Sequence, residues 1–192
     1  AVIKVIRDPQ LVVKNITYTV SYNTTNTASG NAPTDSTEYL GDANATVLGN
    51  VGAPVLANPG YTFAGWCTVA INVGAACTGT SYAAGSSLSI SNANKNLYSK
   101  WTPNTLTISY NSNGGSAPSG GAASTVFGGT ISSLPANPTR GGYSFNGWFT
   151  AASGGSQITT SNPHNQSSNF TLYAQWTALT YSITFHDLNT NS

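Results

Sequence analysis

Thiols, imidazoles and carboxylates, the groups that most often activate a nucleophile or move a proton, are few: two cysteines, two histidines and five carboxylates in 192 residues. The carboxylates are Asp8, Asp35, Glu38, Asp42 and Asp187, so none stands between Ala43 and His186. Glycoside hydrolysis needs two acids across the scissile bond, and a Ser–His dyad needs a third group to orient the ring. Residues 103–178 hold neither. His164 lies in a Pro-Asn loop and His186 at the end of a short apolar strand, and a surface role is expected for each. Asp35, Glu38 and Asp42 fall within eight residues and could chelate Ca²⁺. They lack the Asp-x-Asp-x-Asp-Gly pattern, which favours a solvated loop. An intramolecular Lys–Asn crosslink would need a buried acid, and nothing in the sequence brings Lys95, Lys100 and Glu38 together. The expectation is a protein without catalytic residues, metal or cofactor.

Cys67 and Cys77 remain. Their spacing is not Cys-x-x-Cys, and no Lys, Arg or His lies near to depress a thiol pKa. Two thiols without a nearby His make a poor metal site. A disulfide is the simplest reading, worth about 3 kcal/mol in the loop-entropy view, and it implies an oxidising compartment.

The elements that must position these residues are read from a repeat. Gly60-Tyr61-Thr62-Phe63-Ala64-Gly65-Trp66 recurs 82 positions later as Gly142-Tyr143-Ser144-Phe145-Asn146-Gly147-Trp148. Alternating aromatic and small residues predict a strand, and the Gly before each Trp predicts a bulge that swings the indole onto the buried face. Tyr18–Asn23 recurs as Leu106–Asn111 and again as Tyr181–His186. A closing strand, Leu97–Thr102, recurs as Leu172–Thr177. Trp66 and Trp101 are 35 positions apart and Trp148 and Trp176 are 28, so the first copy carries seven extra residues where the two cysteines lie. The predicted organisation is an N-terminal strand segment or tail of a preceding domain (1–16), repeat one (17–102), repeat two (103–178) and the first strand of an incomplete third repeat (179–192). The missing Met and that lone strand predict a piece of a longer protein.

In repeat two, the opening strand with Tyr110-Asn111 leads to Asn113-Gly114-Gly115 and then to Gly128-Gly129-Thr130. Asn137-Pro138-Thr139-Arg140-Gly141-Gly142-Tyr143-Ser144-Phe145-Asn146-Gly147-Trp148 and Thr171-Leu172-Tyr173-Ala174-Gln175-Trp176 complete the order. This resembles the Listeria–Bacteroides repeat family, which includes the internalin B-repeat. The likeness covers repeat two throughout, and repeat one apart from its Asn-Gly-Gly turn and its insertion. It implies small β-grasp-like modules in tandem on secreted or surface-anchored bacterial proteins, associated with adhesion or spacing. It carries no catalytic residues.

Composition points the same way. Charged residues make up 6% of the chain and the net charge is +1, which excludes the basic footprint of a nucleic-acid or anionic-membrane binder. No apolar run is long enough to span a bilayer as a helix. With 39% hydrophobic and 10% aromatic residues, two modest cores can form only if the repeated aromatics supply them. Tyr61, Phe63, Trp66, Trp101, Tyr143, Phe145, Trp148 and Trp176 are the expected core. The unrepeated Tyr82 and Phe149 remain candidates for ligand contact.

The expected fold class is mainly β: β-grasp-like α+β modules with antiparallel or mixed sheets and little helix, placed before the closing strand. The expected role is a non-enzymatic stalk or adhesin segment, extracellular, on a bacterial cell surface. Its partner would be a surface protein or glycan of a host or neighbouring cell. One alternative is a glycan-binding module using exposed aromatics. Another is a fibre subunit that self-associates by strand exchange through residues 1–14 and 179–187.

Overall fold

The computed structural model describes residues 15–24 and 29–185. The chain divides into two compact units, one ending at Thr102 and the other beginning at Pro103. The strands expected within residues 1–14 lie outside the described residues, as do His186 and Asp187. Among the described residues every regular element is a strand, and no helix is long and apolar enough to cross a membrane.

Unit one contains β1 (Thr17–Tyr18), β2 (Val20–Asn23), β3 (Tyr39–Leu40), β4 (Asn44–Thr46), β5 (Tyr61–Cys67), β6 (Ser81–Tyr82), β7 (Ser87–Ser89) and β8 (Lys95–Pro103). Its main sheet has the order β2-β8-β5-β6, with β1-β3 and β4-β7 as two-stranded sheets. Unit two contains β9 (Thr105–Asn111), β10 (Ser124–Val126), β11 (Tyr143–Phe149), β12 (Gln157–Ile158) and β13 (Phe170–Ala178), in one sheet of order β10-β9-β13-β11-β12. Opening and closing strands pair in parallel in both units: Val20 lies opposite Lys95 and Asn23 opposite Tyr98, as Ile108 lies opposite Phe170 and Asn111 opposite Tyr173. The other registered pairs are antiparallel, so the sheets are mixed.

Residues 159–169, where a short helix was expected, have no regular structure. Ser161, Asn162, Pro163, Ser167 and Ser168 are weak helix formers, and the segment satisfies itself by other means. The His164 N–H donates to the Gly129 carbonyl at 3.0 Å, and the Asn169 side chain accepts the Thr107 N–H at 2.8 Å.

The glycine before each repeated Trp has a clear job. Gly65 and Gly147 adopt φ of 101° and 127°, a region L side chains rarely enter. Between Phe145 and Gly147 the register with β13 shifts, which is the expected bulge. A Cβ at Gly65 would run into the Tyr82 carbonyl, and one at Gly147 into the Gln157 side chain. Past the bulge, Trp66 and Trp148 point into the cores at 0% and 2% exposure. Truncating either indole to Ala would cost about 3–5 kcal/mol.

Each core is strung on the same four rings, all in edge-on contact. In unit one Tyr22, Trp66, Phe63 and Trp101 follow one another at centroid distances of 4.8, 5.1 and 5.6 Å. Tyr110, Trp148, Phe145 and Trp176 repeat the path in unit two at 5.3, 5.8 and 5.5 Å. Val20, Leu88, Ile90 and Leu97 fill around the first set, and Ile108, Ile131, Ile158 and Leu172 around the second. Tyr61 packs half-buried against the first core.

Tyr143 is a correction to the expected core. It is paired with Ala178, two positions past the Phe145–Trp176 pair, and this carries it beyond the end of the packed rings. It is 37% exposed, and the Arg140 guanidinium sits 3.9 Å from its ring centroid.

A second correction concerns the strand expected from Leu179 to Asp187. Its described part, to Phe185, forms no strand, and Tyr181, Ile183 and Phe185 are 76%, 78% and 90% exposed. In both units an opening strand is held by its own closing strand, and no described strand pairs with residues 181–185.

Candidate functional site

The sheet face turned away from the core is where the two units differ. In unit two, Thr105, Thr107, Ser109 and Asn111 of β9 alternate with core residues and are exposed. Leu172 and Ala174 are fully buried, so Tyr173 between them projects to that outer face. Tyr173 is registered with Asn111 on one side and Phe149 on the other. Thr107, Ser109, Thr150, Thr171, Phe170 and Tyr173 line an open groove of about 430 Å³.

In unit one Tyr98 stands where unit two has Tyr173, flanked by the fully buried Leu97 and Ser99. Cys67 stands where unit two has Phe149. Cys67 is disulfide-bonded to Cys77 with a Cα–Cα distance of 5.7 Å, and the bridge closes the extra segment into a loop. Val73 of that loop packs against the unit-one core, and Gly74 lies against the Tyr61 ring. Thr24, Ile71, Asn72, Ala76, Thr78 and Tyr98 line a groove of about 450 Å³.

The two candidate ligand contacts separate. Tyr82 is half-buried, registered opposite Trp66 and packed against the unit-one core. Phe149 is half-buried opposite Tyr173 and shares the outer face of unit two.

His164, expected at the surface, is 5% exposed. Its Nδ1 accepts the Gln166 N–H at 3.2 Å, which leaves Nε2 as the donor to the Thr125 hydroxyl at 3.3 Å. The hydroxyl in turn donates to the Thr130 carbonyl at 3.0 Å, and the Phe170 ring lies 5.2 Å from the imidazole. Burial pushes the imidazole below its usual pKa, partly offset by a hydrogen bond to the Val126 backbone. The Ser-, Asn- and Pro-rich segment around it carries no hydrophobic period, so nothing in the sequence marks this burial.

The acidic loop is held by local hydrogen bonds. Asp35 accepts the Thr37 N–H at 3.0 Å and the Tyr39 hydroxyl at 2.9 Å. Partial burial pushes its carboxyl up, but the hydrogen bonds from Thr37 and Tyr39 outweigh that and hold it below the usual carboxylate range. Glu38 accepts the Thr17 hydroxyl at 3.2 Å, and Lys100 donates to Ser81 at 2.9 Å. Among the described residues, no three His, Cys, Asp or Glu side chains converge as a metal site.

Two residues that sequence reasoning passed over are repeated structural pins. Asn94 Oδ1 accepts the Thr19 N–H at 2.9 Å, and Asn169 Oδ1 accepts the Thr107 N–H at 2.8 Å. Each ties the start of a closing strand to its opening strand. The signal was available, since both asparagines lie seven positions before the closing Trp.

Comparison with known proteins matches the family model of the Listeria-Bacteroides repeat domain to residues 18–100 and again to residues 107–175. A protein of Evansella cellulosilytica, whose name describes it as a Gly-rich membrane protein, is 34% identical over 93 residues. The match covers 46% of the present chain and 10% of that much longer relative.

Proposed function

Because this chain belongs to the Listeria–Bacteroides repeat family, we propose that its two units are load-bearing, β-grasp-like modules in tandem, forming a stalk or adhesin segment of a bacterial cell-surface protein without enzymatic activity. The observation that carries this reading is the parallel pairing of an opening strand with the closing strand in each unit, β2 with β8 and β9 with β13. Tension entering at the start of β9 and leaving at the end of β13 slides two hydrogen-bonded strands past each other. All the bonds between them are then loaded together rather than one at a time, which raises the barrier to forced unfolding. Asn94 and Asn169 reinforce the same junctions.

An extracellular location is supported by the Cys67–Cys77 disulfide and by a composition almost free of charge. The relative's description as a membrane protein is in keeping with it. The partner of an adhesin of this kind would be a surface protein or glycan of a host or neighbouring cell. Antibodies raised against the chain should label intact, unpermeabilised cells of its source, and external protease should remove the signal. Labelling that requires permeabilisation would contradict the proposal.

A fibre subunit joined by strand exchange is the second reading, favoured by the exposed, alternating Tyr181, Ile183 and Phe185. Light scattering should then show assemblies that deletion of residues 179–192 abolishes. A monomer with and without that deletion would exclude it.

A further inference from the structure

Tyr98 and Tyr173 are the same residue of two repeats, and each projects from its closing strand into a groove on the outer sheet face. The repeated Trp and Phe residues are consumed by the cores; these two tyrosines are not. Both grooves lie within the range of small-molecule sites, about 300–1,000 Å³. Among the described residues no Asp, Glu, Lys, Arg or His lines either one, which disfavours ions, phosphates and acidic ligands. The linings supply one phenol ring, short hydroxyls (Thr24 and Thr78; Thr107, Ser109 and Thr171) and a small apolar surface.

From these linings we infer that each groove, built on the repeated Tyr98 or Tyr173, is a binding site for a neutral saccharide. The apolar face of a sugar ring would lie on the Tyr98 or Tyr173 phenol and its hydroxyls would exchange hydrogen bonds with the threonines and serine. Such a ligand needs no counter-charge, and it matches an uncharged lining with alternating apolar and hydroxyl character. The two sites are walled differently. Unit two leaves its groove open beside Phe149, whereas in unit one the disulfide-closed loop supplies Ile71, Asn72 and Ala76 as a wall. Different saccharide preferences follow. The stalk reading does not depend on this binding, since a load-bearing module needs no ligand.

The test is calorimetric titration of the intact chain with neutral hexasaccharides of glucose, xylose, mannose and N-acetylglucosamine, backed by chemical-shift mapping. Binding to at least one of them is expected, with shifts at Tyr98 or Tyr173. Tyr98→Ala should abolish the unit-one component and Tyr173→Ala the unit-two component, with both thermal transitions preserved. Tyr→Phe at either position keeps the ring and should retain binding, which separates loss of stacking from loss of fold. Failure to bind any neutral hexasaccharide at millimolar concentration would overturn the inference. So would binding indifferent to both Tyr→Ala changes, or binding confined to charged oligosaccharides.

Discussion

Trp66 and Trp148 occupy the same place in the two repeats and differ in one hydrogen bond. The Trp66 indole N–H donates to the Leu48 carbonyl at 2.8 Å, whereas the equally buried Trp148 Nε1 has no partner among the described residues. Replacing either by Phe removes similar volume, but only Trp66→Phe also breaks a hydrogen bond and strands a carbonyl. Trp66→Phe should therefore destabilise unit one by about 1–2 kcal/mol more than Trp148→Phe destabilises unit two. Denaturant unfolding monitored separately in the two units checks this, and the reverse order would refute it.

The bulge glycines are the least replaceable positions of the two anchor strands. Gly147→Ala combines a strained φ with a collision against Gln157, and Gly65→Ala does the same against the Tyr82 carbonyl. Each should cost about 1–3 kcal/mol. The backbone carbonyl is the harder obstacle, so thermal unfolding should show the larger loss for Gly65→Ala.

Asn94→Ala and Asn169→Ala should each loosen one parallel junction and leave the other unit unchanged. The bonds lie at the surface, where water can replace the lost acceptor, so the expected cost is about 1 kcal/mol. Hydrogen exchange at the Thr19 and Thr107 amides should accelerate in the corresponding variant.

Unit two should weaken in mild acid. The folded protein holds His164 neutral, its pKa below the ordinary value near 6.5, while the unfolded chain takes up a proton there. Stability is therefore fully present above about pH 6.5 and falls as the pH drops toward the folded-state pKa, by at most about 1.4 kcal/mol per pH unit. The groups packed around the ring, from Thr125, Thr130, Gln166 and Phe170, carry no charge that could pair with imidazolium. His164→Gln should flatten this pH dependence in unfolding measurements between pH 4 and 7 (about the histidine range).

Reduction of Cys67–Cys77 should act on unit one alone. Opening a loop of 10 residues removes about 3 kcal/mol in the loop-entropy model. Calorimetry with and without reductant should move one transition and leave the other in place.

Much of this fold was legible because the sequence states it twice. The Gly-Trp bulge, the aromatic core and the closing strand were visible as matched residues at fixed offsets, and the disulfide as two cysteines in the only long insertion. Legibility failed where position along a strand, rather than residue type, decides burial. Tyr143 shares the alternation of Phe145 yet lies beyond the end of the core. Tyr98 and Tyr173 are repeated like the core rings but sit on the opposite face, one residue out of phase with Leu97 and Leu172. His164 is buried by an irregular segment whose packing has no period to read.

The most direct measurement is single-molecule stretching of the intact chain through its two ends, with the disulfide closed. Two discrete unfolding events are predicted, one for each unit, with the unit-one event lengthening on reduction as the residues between Cys67 and Cys77 are released. Asn94→Ala and Asn169→Ala should each lower the force of one event only. Gradual extension without discrete events, or a single event spanning both units, would contradict load-bearing modules built on parallel opening and closing strands.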